Sequence, residues 1–364
     1  MKYINNRDKN MLTRFGNIKI YQPYYKCEHC KTHGYNQIIS TRPFYKSLSP
    51  KFTELICYEA KDIPFIPSSK KMYKYFGVNI SKETIRKASE KIGYEEFQKS
   101  KNIISPQEYL KAEELPISNR VYVEIDGSML NTTEEGWKEY KLIMYFDESG
   151  IKNAGENRQT LKKKEFVGSL GEGVENLKNQ LKKSMIESGK FSAYEIILIS
   201  DGAVWIENIF QELFPNALMI LDLYHAKEHI WDCAKEIFKE SDKIESWANY
   251  YCTLIEYGDV DYLLKNLENK IKKTKNQTPL RNLYSYFNTR KKRIQYSKFK
   301  KDGYILGSGA IESAHRYVLQ NRLKRSGMKW LSPNINAMAQ LNNIYFSDNW
   351  EKLWEIKKYE KKVA

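Results

Sequence analysis

The 364-residue chain has no long apolar run: the longest, such as Ala217–Leu221, reaches five residues, whereas a membrane-spanning helix needs about 20. The opening Met1-Lys2-Tyr3-Ile4-Asn5-Asn6-Arg7-Asp8 has no apolar segment, so no secretory signal and a cytoplasmic protein are expected. Cysteine is scarce and odd in number, five in all, which argues against a disulfide framework and for a reducing compartment. Glycine and proline are few, 18 and 10, which excludes collagen-like and low-complexity architectures.

What is present is a globular composition. Hydrophobic residues make up 41% and aromatics 13%, enough apolar surface to bury a core, and the length suggests about two to three domains. The charge is lopsided: 60 Lys and Arg against 45 Asp and Glu, a net +15. A balance of this sign favours a polyanionic partner, most often nucleic acid. The bland reading is a codon bias that enriches Lys together with Ile, Asn and Tyr.

The chain divides by pattern into five segments. Residues 1–48 look strand-rich and carry Cys27-Glu28-His29-Cys30. Residues 49–115 are helical, with short helices expected near Ser69–Tyr75 and Ser81–Lys91. Gly77 sits between them where a turn needs a left-handed residue, and Ser81 is a natural N-cap with Glu83 complementing the dipole. That outline is a candidate helix-turn-helix with Lys82 and Arg86 facing DNA. The alternative is an ordinary helical hairpin with a solvated basic face.

Residues 116–225 switch to strands. Val121–Asp126 is a β-type run stopped by Gly127; Tyr140–Phe146 and Lys164–Val167 follow; Gly173–Ser188 is an amphipathic helix; Glu195–Ser200 is a buried strand ending at Asp201-Gly202. Ala203–Leu213 is a helix, and Ala217–Leu221 a last strand ending at Asp222. The order β-β-β-α-β-α-β predicts a mixed α/β sheet with acids at the ends of three strands. Residues 226–303 form a helical insertion; within 263–301 there are thirteen Lys or Arg and one acid, Glu268. Residues 304–364 resume with Gly307-Ser308-Gly309 and a helix expected over Ala310–Arg325.

The carboxyl ends of neighbouring parallel strands meet at one edge, where α/β folds bind ligands. Acids gathered there repel unless a cation neutralises them. Hard divalent ions such as Mg²⁺ or Mn²⁺ take carboxylate oxygens, and two such ions about 4 Å apart serve in-line phosphoryl displacement. Taken singly, each strand-end Asp is ordinary turn chemistry. Taken jointly, on a basic chain, they form a candidate phosphoryl-transfer site.

Three blocks carry a family resemblance: Asp201-Gly202-Ala203-Val204-Trp205-Ile206, Ile220-Leu221-Asp222-Leu223-Tyr224-His225-Ala226-Lys227-Glu228-His229, and Gly307-Ser308-Gly309-Ala310-Ile311-Glu312-Ser313-Ala314-His315-Arg316 with Asn321-Arg322-Leu323-Lys324. They resemble the DDE transposases of bacterial insertion sequences, in the Kra4 and Lre2 groups, similar in turn to Mutator-like transposases. The resemblance implies an RNase H-like core with a helical insertion and strand cleavage and transfer of double-stranded DNA. It implies catalytic, Mg²⁺-binding Asp126, Asp201 and Glu312, with Glu124 in reserve for the first acid. Asp222, His225 and Arg316 are then helpers that support the acids or position DNA. DNA contacts are expected from Lys82, Arg86, Arg290, Lys291, Lys292, Arg293, Arg322, Lys324 and Arg325, and a homo-oligomer on DNA is expected.

Other readings share these residues. One is a DNA-binding descendant that has lost its chemistry. Another is a zinc metallopeptidase, because His225-Ala226-Lys227-Glu228-His229 also fits H-x-x-E-H, whose two histidines lie one helical turn apart. Cys27 and Cys30 could hold half of a zinc site with His33 or Cys57, or be two free thiols in a turn.

Overall fold

The computed structural model describes residues 1–35, 45, 47–107, 110, 118–153, 159–274 and 277–355. The expected boundary at 115–116 lies outside them. The chain opens with an antiparallel hairpin, β1 (Lys2–Thr13) and β2 (Gly16–Lys26), with β3 (His33–Tyr35) along the other side of β2.

Three helices follow. Helix α1 (Pro50–Asp62) starts where Ser49 Oγ accepts the Phe52 N–H at 3.3 Å and Pro50 needs no donor. Helix α2 (Phe65–Phe76) ends at Gly77, whose φ of +66° gives the left-handed cap. Helix α3 (Lys82–Ser100) is capped by Ser81, whose Oγ accepts the Thr84 N–H at 3.0 Å. Both helices of the expected pair are therefore present, and both are longer than expected. The buried stripe Ile85, Ala88, Ile92 and Phe97 of α3 packs against α1, α2 and a late helix, Ser332–Phe346. Gly93 makes that last contact possible: a Cβ there would lie 2.1 Å from the Ala337 carbonyl oxygen.

The central sheet has five strands in the order β10-β9-β4-β5-β8. β4 (Arg120–Thr132), β5 (Gly136–Asp147) and β8 (Glu165–Leu170) are antiparallel neighbours; β9 (Glu195–Ser200) runs parallel to β4, and β10 (Leu218–Leu221) parallel to β9. A small hairpin, β6 (Ile151–Asn153) and β7 (Gln159–Leu161), interrupts the series. One side of the sheet (Val121, Val123, Ile125, Ile196, Leu198) packs on α4 (Gly173–Glu187) and α5 (Val204–Leu213). The other side (Tyr122, Leu130, Leu142, Met144, Ile197, Ile199) joins a larger apolar core that runs from Phe52 to Trp354. The result is a layered α/β architecture with a mixed sheet.

One expectation is corrected here. Gly127 does not stop the first strand: it pairs with Lys141, and β4 continues to Thr132 before turning at Gly136, φ +73°. Alternation persists through Leu130 and Thr132, both buried, so partner pairing overrides the local Asp-Gly turn signal. Asp126 therefore sits inside β4, beside the point where the parallel strand β9 ends.

The basic insertion is helical as expected: α6 (Leu223–Ile237), α7 (Ser241–Tyr257), α8 (Val260–Lys273), α9 (Thr278–Thr289) and α10 (Tyr296–Lys301). The helix expected over Ala310–Arg325 is instead α11 (Gly309–Ala314), a π-helical segment His315–Gln320 and a closing turn Asn321–Leu323. Helices α12 (Ser332–Phe346) and α13 (Trp350–Trp354) complete the described chain. Among the described residues no helix is long and apolar enough to cross a membrane.

A carboxylate edge as the candidate active site

Strand register sets the acids side by side. Glu124 pairs with Ile199 across β4–β9, and Ser200 with Leu221 across β9–β10. Asp126 lies two residues beyond Glu124 in β4, Asp201 directly follows β9, and Asp222 directly follows β10. Strand alternation puts Asp126 on the same side as Glu124, the side covered by α11.

Glu124 is 1% exposed, and its Oε2 accepts the Ile311 N–H of α11 at 2.9 Å. Burial pushes its carboxyl up to about 8, and the charges of Asp222 and Glu312 add to the push. The neighbouring Asp126 goes the other way. Burial would raise it, but the proximity of His315 and the Gly127 N–H, donated to Oδ1 at 2.7 Å, hold it below the usual range. His315 Nε2 lies 3.2 Å from Asp126 Oδ2. Among the described residues neither nitrogen of this buried ring has a hydrogen-bond partner.

Asp222 is buried and divided between two tasks. Its Oδ1 accepts the His225 N–H at 2.8 Å as the N-cap of α6. Its Oδ2 accepts the Ser308 Oγ–H at 2.6 Å and also the Ser308 backbone N–H. It therefore latches the Gly307–Gly309 entry of α11, the helix that carries Glu312. The His225 ring stands partly exposed at the same edge, with Nδ1 3.5 Å from Glu228.

Asp201 is exposed. Its Oδ1 accepts the Ala203 N–H at 2.9 Å, and its carbonyl accepts the Tyr286 hydroxyl at 3.2 Å. The next residue, Gly202, has φ +82°, and a Cβ there would meet Arg290 Nε at 2.7 Å and Leu221 Cδ1 at 2.9 Å. Arg290 donates to the Gly202 carbonyl at 3.0 Å and lies 4.3 Å over the Tyr286 ring. The insertion thus reaches back to the acid edge through α9. Glu312 and Arg316 are exposed one helical turn apart.

The donors match a hard divalent cation in type. They are carboxylate oxygens on one edge, one of them held below its usual pKa. Their side chains are not drawn together around a point: among the described residues no three His, Cys, Asp or Glu side chains form a group that could hold a metal ion. The same holds at 225–229, where the His229 ring stacks 4.0 Å from that of Tyr286 and His225 turns to Glu228. At the N-terminus, Cys30 Sγ bonds Thr32 Oγ1 at 2.8 Å, and hydrogen bonds from Thr32 bring its thiol down to about 7. Cys57 is in the core, its thiol pushed up to about 12 by burial, so it is no partner for Cys27 and Cys30. The His33 side chain lies outside the described set.

The expected DNA-contacting cations separate into two groups. Lys82, Lys292 and Lys324 are exposed. Arg86 is bound to Glu83 and Glu90, each at 2.6 Å; Lys291 pairs with Asp261 and Arg293 with Glu207. Arg325 is exposed and donates to the Asn321 and Asp62 carbonyls. Arg322 is the clear correction. It is 1% exposed, donates to the Ala60 carbonyl at 2.6 Å and lies 4.6 Å from the ring centre of Phe65 and 4.8 Å from that of Trp330. It is a core residue and faces no DNA.

Sequence reading missed His315 and Tyr286 altogether and treated Glu124 as a reserve. No local signal distinguishes them, because their importance comes from chain segments 85–189 residues away.

These features define a class: a mixed α/β protein with a five-stranded mixed sheet and acids directly after two of its parallel strands. The chain belongs to the family described as Uncharacterised protein family (UPF0236), whose model matches residues 2–361. No curated protein matches it.

Proposed function

We propose that the chain is a DDE-type DNA transposase that cleaves and joins strands at the ends of an insertion sequence. The observation that carries this reading is the placement of Asp126 in β4 and of Asp201 and Asp222 directly after the neighbouring parallel strands β9 and β10, with the helix that carries Glu312 tied to Glu124. The strand order supports an RNase H-like core: three antiparallel strands, then two parallel to the first, with a helical insertion before the last acid.

In this reading Asp126, Asp201 and Glu312 are the carboxylates that would hold a divalent cation such as Mg²⁺ or Mn²⁺, and such an ion would supply charge neutralisation and a more acidic water for phosphoryl transfer. Glu124, through the Ile311 N–H, and Asp222, through Ser308, tie α11, the helix that carries Glu312, to the strand ends. His315 and the Gly127 N–H keep Asp126 ionised at neutral pH. Arg290, Tyr286 and Gly202 set the Asp201 turn. His225, exposed at the same edge, steers the scissile phosphate or a distorted nucleotide.

The test is strand cleavage of nicked and intact duplex DNA in Mg²⁺ by purified protein and by Asp126→Asn, Asp201→Asn and Glu312→Gln. Each variant should lose cleavage while melting like the parent. His225→Ala should slow cleavage with the Mg²⁺ requirement unchanged. Retained cleavage in the three acid variants refutes the site assignment. A parent protein that neither cuts nor binds DNA refutes the function.

A further inference from the structure

The helical insertion holds a cavity of its own, apart from the acid edge. Its volume is about 510 Å³, within the range of pockets that hold small organic groups, about 300–1,000 Å³. It opens between α7 and α8, beside Phe238, the residue that ends α6. Helix α6 starts at its N-cap Asp222 and runs for 15 residues to Phe238. At about 1.5 Å per residue that is roughly 22 Å, so the length of a helix separates the cavity from Asp222.

The wall is aromatic because helical spacing puts Lys243, Trp247, Tyr250 and Tyr251 on one face of α7. The Trp247 ring lies 4.2 Å from that of Tyr251, Tyr250 meets Tyr251 edge-on at 5.1 Å, and Phe238 lies 6.3 Å from Trp247. Tyr251 is buried beneath, Trp247 is half-buried, and Tyr250 is exposed at the rim. An amide is fixed beside the rings. Asn266 Oδ1 accepts the Tyr251 hydroxyl at 2.6 Å, and its Nδ2 donates to the Tyr250 hydroxyl at 3.3 Å. A side-chain amide has two hydrogens and two lone pairs, so one of each remains for a ligand. The charge at the mouth is positive: the lining includes Lys243 and Lys270 and no acid. Both lysines are exposed. Lys243 also meets Glu240 at 3.3 Å, a solvated pair of the kind that holds a side chain only weakly.

Flat rings, an amide with bonds to spare and cations at the mouth match the parts of a nucleotide: a base face to stack, a base edge to hydrogen-bond and a phosphate to neutralise. A base inside a duplex has both faces covered and its edge paired, so only an unpaired one can enter. We infer that the helical insertion holds an unpaired nucleotide of a DNA strand, its base against Trp247 and its phosphate at Lys243 and Lys270. This deepens the DNA reading above and rests on it. An apolar side chain from a partner protein would cover the rings but leave the Asn266 amide and both ammonium groups without counterparts.

The experiment uses the full chain and two labelled probes, a blunt duplex and the same duplex with a single-stranded tail, read by fluorescence anisotropy across a salt series. The parent should bind the tailed probe more tightly. Trp247→Ala should weaken tailed binding by about five- to a hundred-fold, the worth of one stacked base, and leave blunt binding unchanged. Trp247→Phe keeps a ring and should keep most of the preference. Lys243→Ala with Lys270→Ala changes only exposed side chains and spares the core. It should lower the slope of log K against log salt for the tailed probe by ~0.7 per phosphate met. Four results would overturn the inference. Equal affinity of the parent for the two probes removes the pocket but leaves the DNA reading standing. Parental binding by the lysine pair, with Trp247→Ala either unchanged or weakened only as far as its melting temperature falls, assigns the rings to packing. Deoxyadenosine monophosphate bound as tightly as the tailed probe makes this a site for free nucleotides. A parent that binds neither probe removes the DNA reading and the pocket with it.

Discussion

Replacing Arg322 separates a core role from a phosphate contact. The side chain is 1% exposed, its Nε–H is bonded to the Ala60 carbonyl at 2.6 Å, and its guanidinium lies 4.6 Å from the Phe65 ring centre and 4.8 Å from that of Trp330. Among the described residues no carboxylate bonds it and one terminal nitrogen has no partner, and burial lowers its pKa to about 10. Arg322→Ala leaves the Ala60 carbonyl unpaired, costing about 1–3 kcal/mol. It also forfeits desolvated cation–π contacts worth about 2 kcal/mol and opens a cavity costing about 2–5 kcal/mol. Against these stands relief of the desolvation of a buried charge, several kcal/mol. The balance is a loss of about 3 kcal/mol, which for a chain of this size lowers the melting temperature by about 4 °C. Arg322→Met keeps most of the volume while removing the charge and should lose about 1 kcal/mol or less. Urea and thermal unfolding followed by far-UV dichroism read both variants, and duplex binding at several salt concentrations reads the alternative. If Arg322→Ala unfolds with the parent while its salt slope falls by about 0.9, the residue is a phosphate contact and the packing argument fails.

Gly93→Ala should destabilise by about 2–3 kcal/mol through overpacking against Ala337, although alanine normally stabilises a helix interior by about 1 kcal/mol; a higher urea midpoint would refute the close approach of α3 and α12. Glu124, with a folded pKa of about 8 above a reference of 4.5, binds its proton more tightly when folded, so stability should fall as pH rises from about 4.5 to about 8. The total is at most about 5 kcal/mol. Glu124→Gln, which keeps an acceptor for the Ile311 N–H, should flatten that fall in metal-free buffer, and parallel stability curves for the two proteins would overturn it. Asp222→Ala removes the cap of α6 and the Ser308 latch. It should cost about 2–4 kcal/mol and slow cleavage beyond what the lost stability explains, whereas unaltered unfolding would deny the latch.

The features that the sequence determined by itself are those whose causes lie within four residues. Ser81 and Gly77 bound their helices because an N-cap oxygen and a left-handed residue act on the adjacent turn, and both stand where expected. The apolar runs 195–200 and 218–221 form buried parallel strands because nothing but burial suits them. The acids that follow those runs were legible for the same reason. Tertiary structure decided whatever depends on a distant partner. β4 runs through Asp126-Gly127 because β5 offers twelve paired residues, and that pairing outweighs a local turn signal. Three cations of the basic run 290–293 have partners within the chain, since Glu207, Asp261 and the Gly202 carbonyl come to meet them. Arg322 reads as a surface cation until Phe65, Trp330 and the Ala60 carbonyl close around it. Glu124 reads as a reserve for the first acid, and its burial and its bond to the Ile311 N–H, 187 positions away, appear only in the fold. Burial and charge compensation are set by which segments meet, and a single chain read residue by residue does not contain that information.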